Sequence, residues 1–343
     1  MSHTASAARF FRRTAALGLC LTAFALSVPA AAAQCTGTDV RPSLSAEDRA
    51  VIDARLAQIP YPAGNLWRAQ RGDQTIHLIG TIHIDDPRMA GKVDQLRGLL
   101  ETADHALFEM TPEEDAALKA AMAAQPDLLF MEGGSLPEMI PEAAWQEIMA
   151  ALRARGVPPI VASRFKPWYV SVLLAMPPCM SQSMQEVKNG LDFRLMRAAS
   201  EAGVTLSALE PWDTMFSVFG DEPVDVQIRN LLLGLETLED SEDMLATLRA
   251  AYFDEAHAEG WEVSRWKVLQ TDGMDPAESA ALFDQMERDL LHVRNRAWIP
   301  VILDALEGRR QIAVAFGAGH LSGRLGVLAL LEAEGFQLER LPF

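Results

Sequence analysis

A Gly-x-x-His sequence occurs twice in this chain, as Gly80 with His83 near one end and as Gly317 with His320 near the other. Each copy follows a short apolar run, and such a run ending at a glycine is typical of a buried β-strand that stops at its carboxyl edge. Ligands of open α/β sheets bind outside the carboxyl ends of the strands. The two histidines, 237 positions apart, are therefore predicted to face one cleft. The alternative is a pair of unrelated core or loop histidines.

Carboxylates follow two other apolar segments. Glu109 and Glu210 each come directly after a stretch that is predicted to be a buried strand. Because helical patterns separate the strands, a parallel sheet is predicted, and right-handed crossovers bring the carboxyl ends of parallel strands to one edge. His83, Glu109, Glu210 and His320 are therefore expected along the same edge.

The pattern as a whole predicts an α/β fold with a mainly parallel central sheet, covered by helices on both faces. A β-hairpin that turns around residues 71–73 precedes the first Gly-x-x-His copy. Residues from about 223 to 308 are acidic and helical in pattern, and they are predicted to form a helix-rich insertion. No linker rich in Gly, Pro or Ser interrupts residues 34–343, so a single domain is predicted.

Residues 1–33 have the pattern of a cleaved signal peptide. Three arginines precede an apolar stretch at residues 15–28, and three alanines at 31–33 provide a cleavage site. A stretch of that length is too short to span a bilayer. The protein is therefore predicted to be periplasmic or secreted, with no stable membrane span after cleavage. The alternative is that the signal peptide is not cleaved and anchors the protein in the membrane.

Charge restricts the partners. The full chain carries a formal net charge of −17, and loss of the three leader arginines makes it more negative. Such a chain repels phosphate backbones, so nucleic acid is not expected as a partner. A peptide or another small neutral or cationic substrate is expected instead, unless the acidity serves solubility alone.

Two cysteines remain after the leader, Cys35 and Cys179. An even pair in an oxidising compartment favours a disulfide between them. Two unrelated free thiols are the alternative.

Two neutral imidazoles and a carboxylate are suited to a divalent metal ion with open positions for water or substrate. Such an ion lowers the pKa of water and polarises a carbonyl. The competing scheme is metal-free, with one histidine as general base on a water and a carboxylate that orients it. Arg294 is a candidate for stabilising a developing oxyanion. The alternative is that it is a helix residue that forms a salt bridge. Gly-x-Ser-x-Gly and His-Glu-x-x-His are both missing from the sequence, so serine-hydrolase and helix-borne zinc mechanisms lack support.

The chain resembles the TraB/PrgY/GumN family, which includes the Tiki metalloproteases. The segments that carry the resemblance run in family order over about residues 64–343. They are Leu78-Ile79-Gly80-Thr81-Ile82-His83, Phe108-Glu109-Met110, Lys166-Pro167-Trp168, Gly190-Leu191-Asp192, Leu209-Glu210, Arg294-Asn295 and Phe316-Gly317-Ala318-Gly319-His320-Leu321-Ser322-Gly323.

The resemblance implies a fold shared with erythromycin-esterase-like and haem-binding ChaN-like proteins. It further implies that His83, Glu109 and His320 form the site, with Arg294 as an accessory residue. For Tiki-like members the activity is metal-dependent peptide cleavage, so a divalent ion such as Mn, Co or Zn is expected here. Gly80 and Gly317 are expected to let the backbone approach the bound group closely.

The sequence therefore predicts an exported, metal-dependent hydrolase that cleaves a peptide amide or an ester bond. The rival hypothesis is a non-catalytic binding protein that sequesters a peptide, haem or a metal. A third hypothesis is a structural member of the family that acts through protein contacts alone. The substrate, the identity of the metal, the oligomeric state and the participation of Glu210 are left open.

Overall fold

The computed structural model describes residues 35–181, 189–270 and 275–343. The predicted signal peptide lies outside these residues and stays a prediction. Six strands form one sheet, and in chain order they are β1 (Leu66–Arg71), β2 (Gln74–Thr81), β3 (His105–Phe108), β4 (Leu206–Ala208), β5 (Gln311–Gly317) and β6 (Gln337–Arg340).

The helices of the described residues surround this sheet. In chain order they are α1 (Ala46–Leu56), α2 (Met89–Glu101), α3 (Pro112–Ala124), α4 (Leu136–Met139), α5 (Glu142–Ala154), α6 (Pro159–Ala162), α7 (Pro167–Ala175), α8 (Pro178–Ser181), α9 (Leu191–Glu201), α10 (Thr214–Gly220), α11 (Val224–Leu235), α12 (Ser241–Phe253), α13 (His257–Leu269), α14 (Pro276–Glu287), α15 (Val293–Leu306) and α16 (Val327–Ala333). Short 3₁₀ turns lie at Arg41–Ser43, Pro126–Leu128, Leu238–Asp240 and Ala318–His320, and a π-helical turn at Arg288–His292 joins α14 to α15.

The last long strand of the chain lies in the middle of the sheet. The order is β4-β3-β5-β2-β1-β6, with β5 parallel to β2 on one side and to β3 on the other. β4 is parallel to β3, whereas β1 is antiparallel to both β2 and β6. The predicted mainly parallel α/β sheet and its N-terminal hairpin are therefore confirmed.

Both faces of the sheet are covered. Successive side chains of a strand point to opposite faces, and residues 312–316 of β5 are all buried. They belong to one large apolar core that also takes in side chains of α2, α9, α15 and α16. This core fixes the sheet, and the sheet fixes the positions of the residues that follow each strand.

A second, smaller apolar core lies among the helices. It joins residues of α4, α5, α6, α7 and α11, among them Trp145, Val170 and Leu231. The helical pattern predicted from about residue 223 to 308 is present in α11 to α15, within the described ranges. The connection between β3 and β4 is also helical, and it supplies most of this second core.

Asp275 shows how the sequence begins one of these helices. Its side chain accepts a hydrogen bond from the backbone N–H of Ala277 at 2.7 Å, and Pro276 occupies the first helical position. Asp at the N-cap and Pro at N1 are both favoured at a helix start, because the first N–H groups have no partner within the helix. Asp275 and Pro276 together therefore define the first turn of α14.

The first described residues cross the helical layer and are fixed to it. Cys35 is bonded to Cys179, with the two Cα atoms 5.1 Å apart, so the predicted disulfide is present. Thr36 and Thr38 donate backbone N–H groups to acidic side chains of α12 at 2.9 and 2.7 Å. A disulfide of this kind is expected in an oxidising compartment. No helix in the described ranges is long and apolar enough to cross a membrane.

Replacing Cys35 and Cys179 together by serine should lower the free energy of unfolding by about 2–5 kcal/mol. The cross-link closes a loop over a sequence separation of 144, and its loss gives the unfolded chain more conformational freedom. Urea unfolding of the oxidised protein and of the double variant measures the difference. The natural protein in reductant is the control and should unfold like the variant. Equal stability of its oxidised and reduced forms would contradict the expectation.

Candidate functional site

Four parallel strands each deliver one predicted side chain to the same edge of the sheet. Across this edge the order is Glu210 after β4, Glu109 after β3, His320 after β5 and His83 after β2. Because β5 lies between β3 and β2, His320 comes between Glu109 and His83. Two histidines far apart in the sequence thus become neighbours in space.

Gly317 leaves the space into which these side chains point. A Cβ atom at this position would lie 3.4 Å from Oε1 of Glu109, 3.8 Å from Cδ2 of His320 and 3.8 Å from Nε2 of His83. Its backbone N–H donates to Oε1 of Glu109 at 2.6 Å. A side chain here would enter the space that the three groups share.

Gly80 has a different role from the one that its motif suggested. A Cβ atom on Gly80 would lie 2.7 Å from Cδ1 of Leu321 and 3.1 Å from Cβ of Ala318. The glycine therefore allows the ends of β2 and β5 to pack closely. It faces the second Gly-x-x-His segment.

Arg294 connects the acidic residues with His320. Its Nε and Nη2 groups donate to Glu210 at 2.8 and 2.7 Å, and Nη2 also donates to Glu109 at 2.7 Å. Its Nη1 group donates to the Leu290 carbonyl at 3.1 Å and lies 3.3 Å from Nε2 of His320. All five N–H bonds of the guanidinium thus have acceptors. Donation to an oxyanion, predicted from the sequence, would require one of these bonds to be given up.

Glu109 is held as a carboxylate. Desolvation raises its pKa, but the charges of the Arg294 guanidinium and of protonated His83, with the hydrogen bond from the Gly317 N–H, outweigh it and lower the pKa of Glu109 to about 2. With Gly317 on one oxygen and Arg294 on the other, both oxygens are also fixed in position.

His320 is buried and neutral, with a defined tautomer. The side-chain amide of Asn295 donates to the Leu325 carbonyl at 2.9 Å, so its oxygen is turned towards His320. Nδ1 of His320 lies 2.6 Å from that oxygen and therefore donates its hydrogen to it. Desolvation, with the charges of Arg294 and His83, lowers the pKa of His320 to about 3. Nε2 consequently carries a lone pair that faces the site.

His83 is the accessible member of the group. Its side chain is 52% exposed, and its Nδ1 lies 3.0 Å from Oδ1 of Asp192, which is 12% exposed. Desolvation lowers the pKa of His83, but the Asp192 and Glu109 carboxylates outweigh it and raise the pKa to about 9. With Nδ1 held by Asp192, Nε2 is directed towards Gly317.

A close backbone contact positions Asp192 beside His83. Leu191 donates its N–H to the Ile82 carbonyl at 3.0 Å. A Cβ atom on Gly190 would lie 2.8 Å from the Cα atom of His83 and 2.9 Å from Oδ1 of Asp192. Glycine is therefore required where the start of α9 meets the first Gly-x-x-His segment.

Sequence reasoning did not assign roles to Asp192 or Asn295. Both lie in segments already quoted for the family resemblance, Gly190-Leu191-Asp192 and Arg294-Asn295. The available signal was a polar residue close to a special neighbour. Asp192 lies two positions after Gly190 at a helix start, and Asn295 follows Arg294. Each of the two orients one of the paired histidines, as partners of reactive or ligating imidazoles do.

Metal ligation was also expected here. Among the described residues, no group of three or more His, Cys, Asp or Glu side chains is arranged to hold a metal ion. The Nη1 group of Arg294 faces the lone pair of His320, and its Nη2 group binds one oxygen of Glu109. The guanidinium is thus the cation that these two side chains contact.

A comparison with protein-family sequence models identifies the family of this chain. The sequence model of the TraB/PrgY/gumN family matches residues 65–340, which is most of the chain and contains every site residue described above. No curated protein matches the chain.

Asp192→Asn should lower the turnover of a hydrolysed substrate by about 10- to 100-fold. The amide keeps the size of the side chain but removes the charge that forms the ion pair with Nδ1 of His83. Turnover is measured beside thermal unfolding, and Asp94→Asn on α2 provides a matched control away from the site. Unchanged turnover in a folded Asp192→Asn variant would contradict the positioning role.

Proposed function

The chain belongs to the TraB/PrgY/gumN family, and from this premise we propose that it is a metal-dependent hydrolase that cleaves a peptide amide or an ester bond. One observation carries the proposal. An exposed imidazole, His83, lies beside a buried neutral imidazole, His320, and a fixed carboxylate, Glu109, around the space that Gly317 leaves open.

The donor set fits a divalent ion such as Mn, Co or Zn in its chemistry. Nε2 of His83, Oε1 of Glu109 and Nε2 of His320 are two nitrogen donors and one oxygen donor, the types that such ions bind. The space at Gly317 borders all three residues. Ligation of His320 would replace its contact with Arg294. When bound, the ion supplies Lewis-acid activation of a water and of the substrate carbonyl.

The chain's own residues prepare the site for hydrolysis. Asp192 orients the ring of His83, and Asn295 fixes the tautomer of His320. Arg294 compensates the charges of Glu109 and Glu210, which would otherwise repel each other at this partly buried edge. The side chains therefore need little rearrangement when substrate arrives, and preorganised polar groups of this kind favour catalysis.

A metal-free route uses the same residues. His83 is exposed and has a carboxylate on Nδ1, the arrangement of a general base that takes a proton from water on Nε2. In its neutral form His83 takes this proton while the water oxygen attacks the carbonyl carbon and the carbonyl π electrons move to the oxygen. As the carbonyl re-forms, the C–N or C–O bond breaks and protonated His83 returns the proton to the leaving nitrogen or oxygen. This route is favoured by the contacts that Arg294 makes with Glu109 and His320.

Replacing His83 or His320 by alanine should lower turnover by at least about 100-fold, because each removes a nitrogen that no neighbour replaces. Hydrolysis of a peptide library and of small esters is measured, with circular dichroism to verify folding. His292→Ala, which removes a half-buried histidine outside the site, is the matched control and should retain activity. Full turnover in either site variant would contradict the proposal.

Metal dependence has its own test. Purified protein should contain a divalent ion by elemental analysis, and a chelator should abolish turnover until the ion is restored. Glu109→Gln should reduce the metal content, since the amide loses the charge that attracts the ion. Full turnover in metal-free protein would contradict metal dependence and favour the route in which His83 is the general base. Tight stoichiometric ligand binding without any turnover would favour the binding-protein hypothesis.

A further inference from the structure

A cavity of about 330 Å³ lies beside the candidate site, among helices α7, α10, α11, α13 and α14. Its wall is mostly apolar, with Trp168, Phe219 and Phe283 as its aromatic members. Leu290 also lines it, and the Leu290 carbonyl accepts the hydrogen bond from Nη1 of Arg294 at 3.1 Å. The cavity and the candidate site therefore share this residue as a common wall.

The position of α10 connects the cavity with the same edge of the sheet. This helix begins four residues after Glu210, and its residues Val218 and Phe219 form part of the cavity wall. Phe219 is stacked parallel to Trp168, with ring centroids 6.3 Å apart. A substrate that extends from the site towards α10 would thus meet a flat aromatic surface.

The polar part of the wall is acidic. Glu222 and Asp289 both line the cavity, and the pKa of Asp289 is raised by desolvation and by the charge of Glu222. No lysine or arginine is among the described residues that line it, and neither carboxylate takes part in an ion pair within the described ranges. Arg288, next to Asp289 in sequence, does not line the cavity. Glu222 accepts a hydrogen bond from Nε2 of Gln285, which also lines the cavity, so a neutral amide and not a cation is the partner of this carboxylate.

Asn230 supplies a further polar atom in the wall of the cavity. Oδ1 of Asn230, a cavity-lining residue, is buried and has no hydrogen-bond partner among the described residues. A buried carbonyl oxygen of this kind gains stability from a donor.

We propose that this cavity is the specificity pocket of the hydrolase and that it takes an apolar substrate group carrying a positive charge, such as a hydrophobic peptide segment with an ammonium group. This inference rests on the proposed function, because a specificity pocket selects a substrate only if the protein is a hydrolase. Aromatic faces bind cations as well as apolar surface, and a cation relieves the repulsion between Glu222 and Asp289. The volume lies within the range of small-molecule pockets.

The probe is 4-phenylbutylamine, protonated at pH 7, compared with neutral 4-phenylbutanol; neither can be hydrolysed. Calorimetry on the full protein should show that the ammonium binds about tenfold more tightly than the alcohol. The double variant Glu222→Gln, Asp289→Asn should reduce this preference to less than about twofold. Equal binding of the two probes by the natural protein would overturn the proposed charge preference.

Gly234 provides the test of location. It lines the cavity within α11, and a Cβ atom there would meet no atom within 4 Å. Gly234→Phe should therefore fill the cavity and abolish binding of the ammonium probe, whereas Gly234→Ala, the matched control, should bind as the natural protein does. Undiminished binding by a folded Gly234→Phe variant would overturn the assignment.

The same experiments separate this inference from the proposed hydrolysis. His83→Ala, which lacks the proposed chemistry, should bind the ammonium probe with the same preference. If the protein binds the probe in this cavity but hydrolyses nothing, the pocket stands and the proposed function fails. If it hydrolyses peptides but Gly234→Phe has the same KM for cationic and neutral substrates as Gly234→Ala, the pocket assignment fails and the function stands.

Discussion

The parallel pairing of β5 with both β2 and β3 is the constraint on which the site depends. It joins a strand near the end of the chain to two strands near its beginning. The segments between them must therefore leave the sheet as helical crossovers and return to it, which leaves the carboxyl edge open. His320 reaches the space between Glu109 and His83 only because this strand is central. An edge position for β5 would have separated the two imidazoles.

Electrostatic compensation explains how so many polar groups share that edge. Glu109 and Glu210 are largely buried, and a buried carboxylate without a partner is strongly unfavourable. Arg294 contacts both, Trp298 donates its Nε1 hydrogen to Glu210 at 3.0 Å, and a backbone amide supports Glu109. The network is satisfied before any ligand binds, so the two histidines keep defined orientations. Rigidity at this place is what a site that must position a reacting bond requires.

Much of this arrangement followed from the sequence, and the reasons for the rest are physical. Apolar runs that end in Gly-x-x-His or in a glutamate predict strand ends, and the edge that they share follows from crossover handedness. Burial patterns do not reveal which strand pairs with which, so the central place of β5 was not predicted. The partners of His83 and His320 were not predicted either. Asp192 and Asn295 lie on helices whose rotation about their axes decides which neighbour each side chain meets.

The bond between Cys35 and Cys179 encloses β1, β2 and β3 within a single covalent ring. Two of the four strands that carry the site residues, β2 and β3, lie inside that ring, while β4 and β5 must join the sheet from outside it. The covalent ring therefore holds His83 and Glu109 but not Glu210 or His320. The cross-link alone cannot assemble the cleft, which needs the pairing of β3 with β4 and of β5 with β2 and β3.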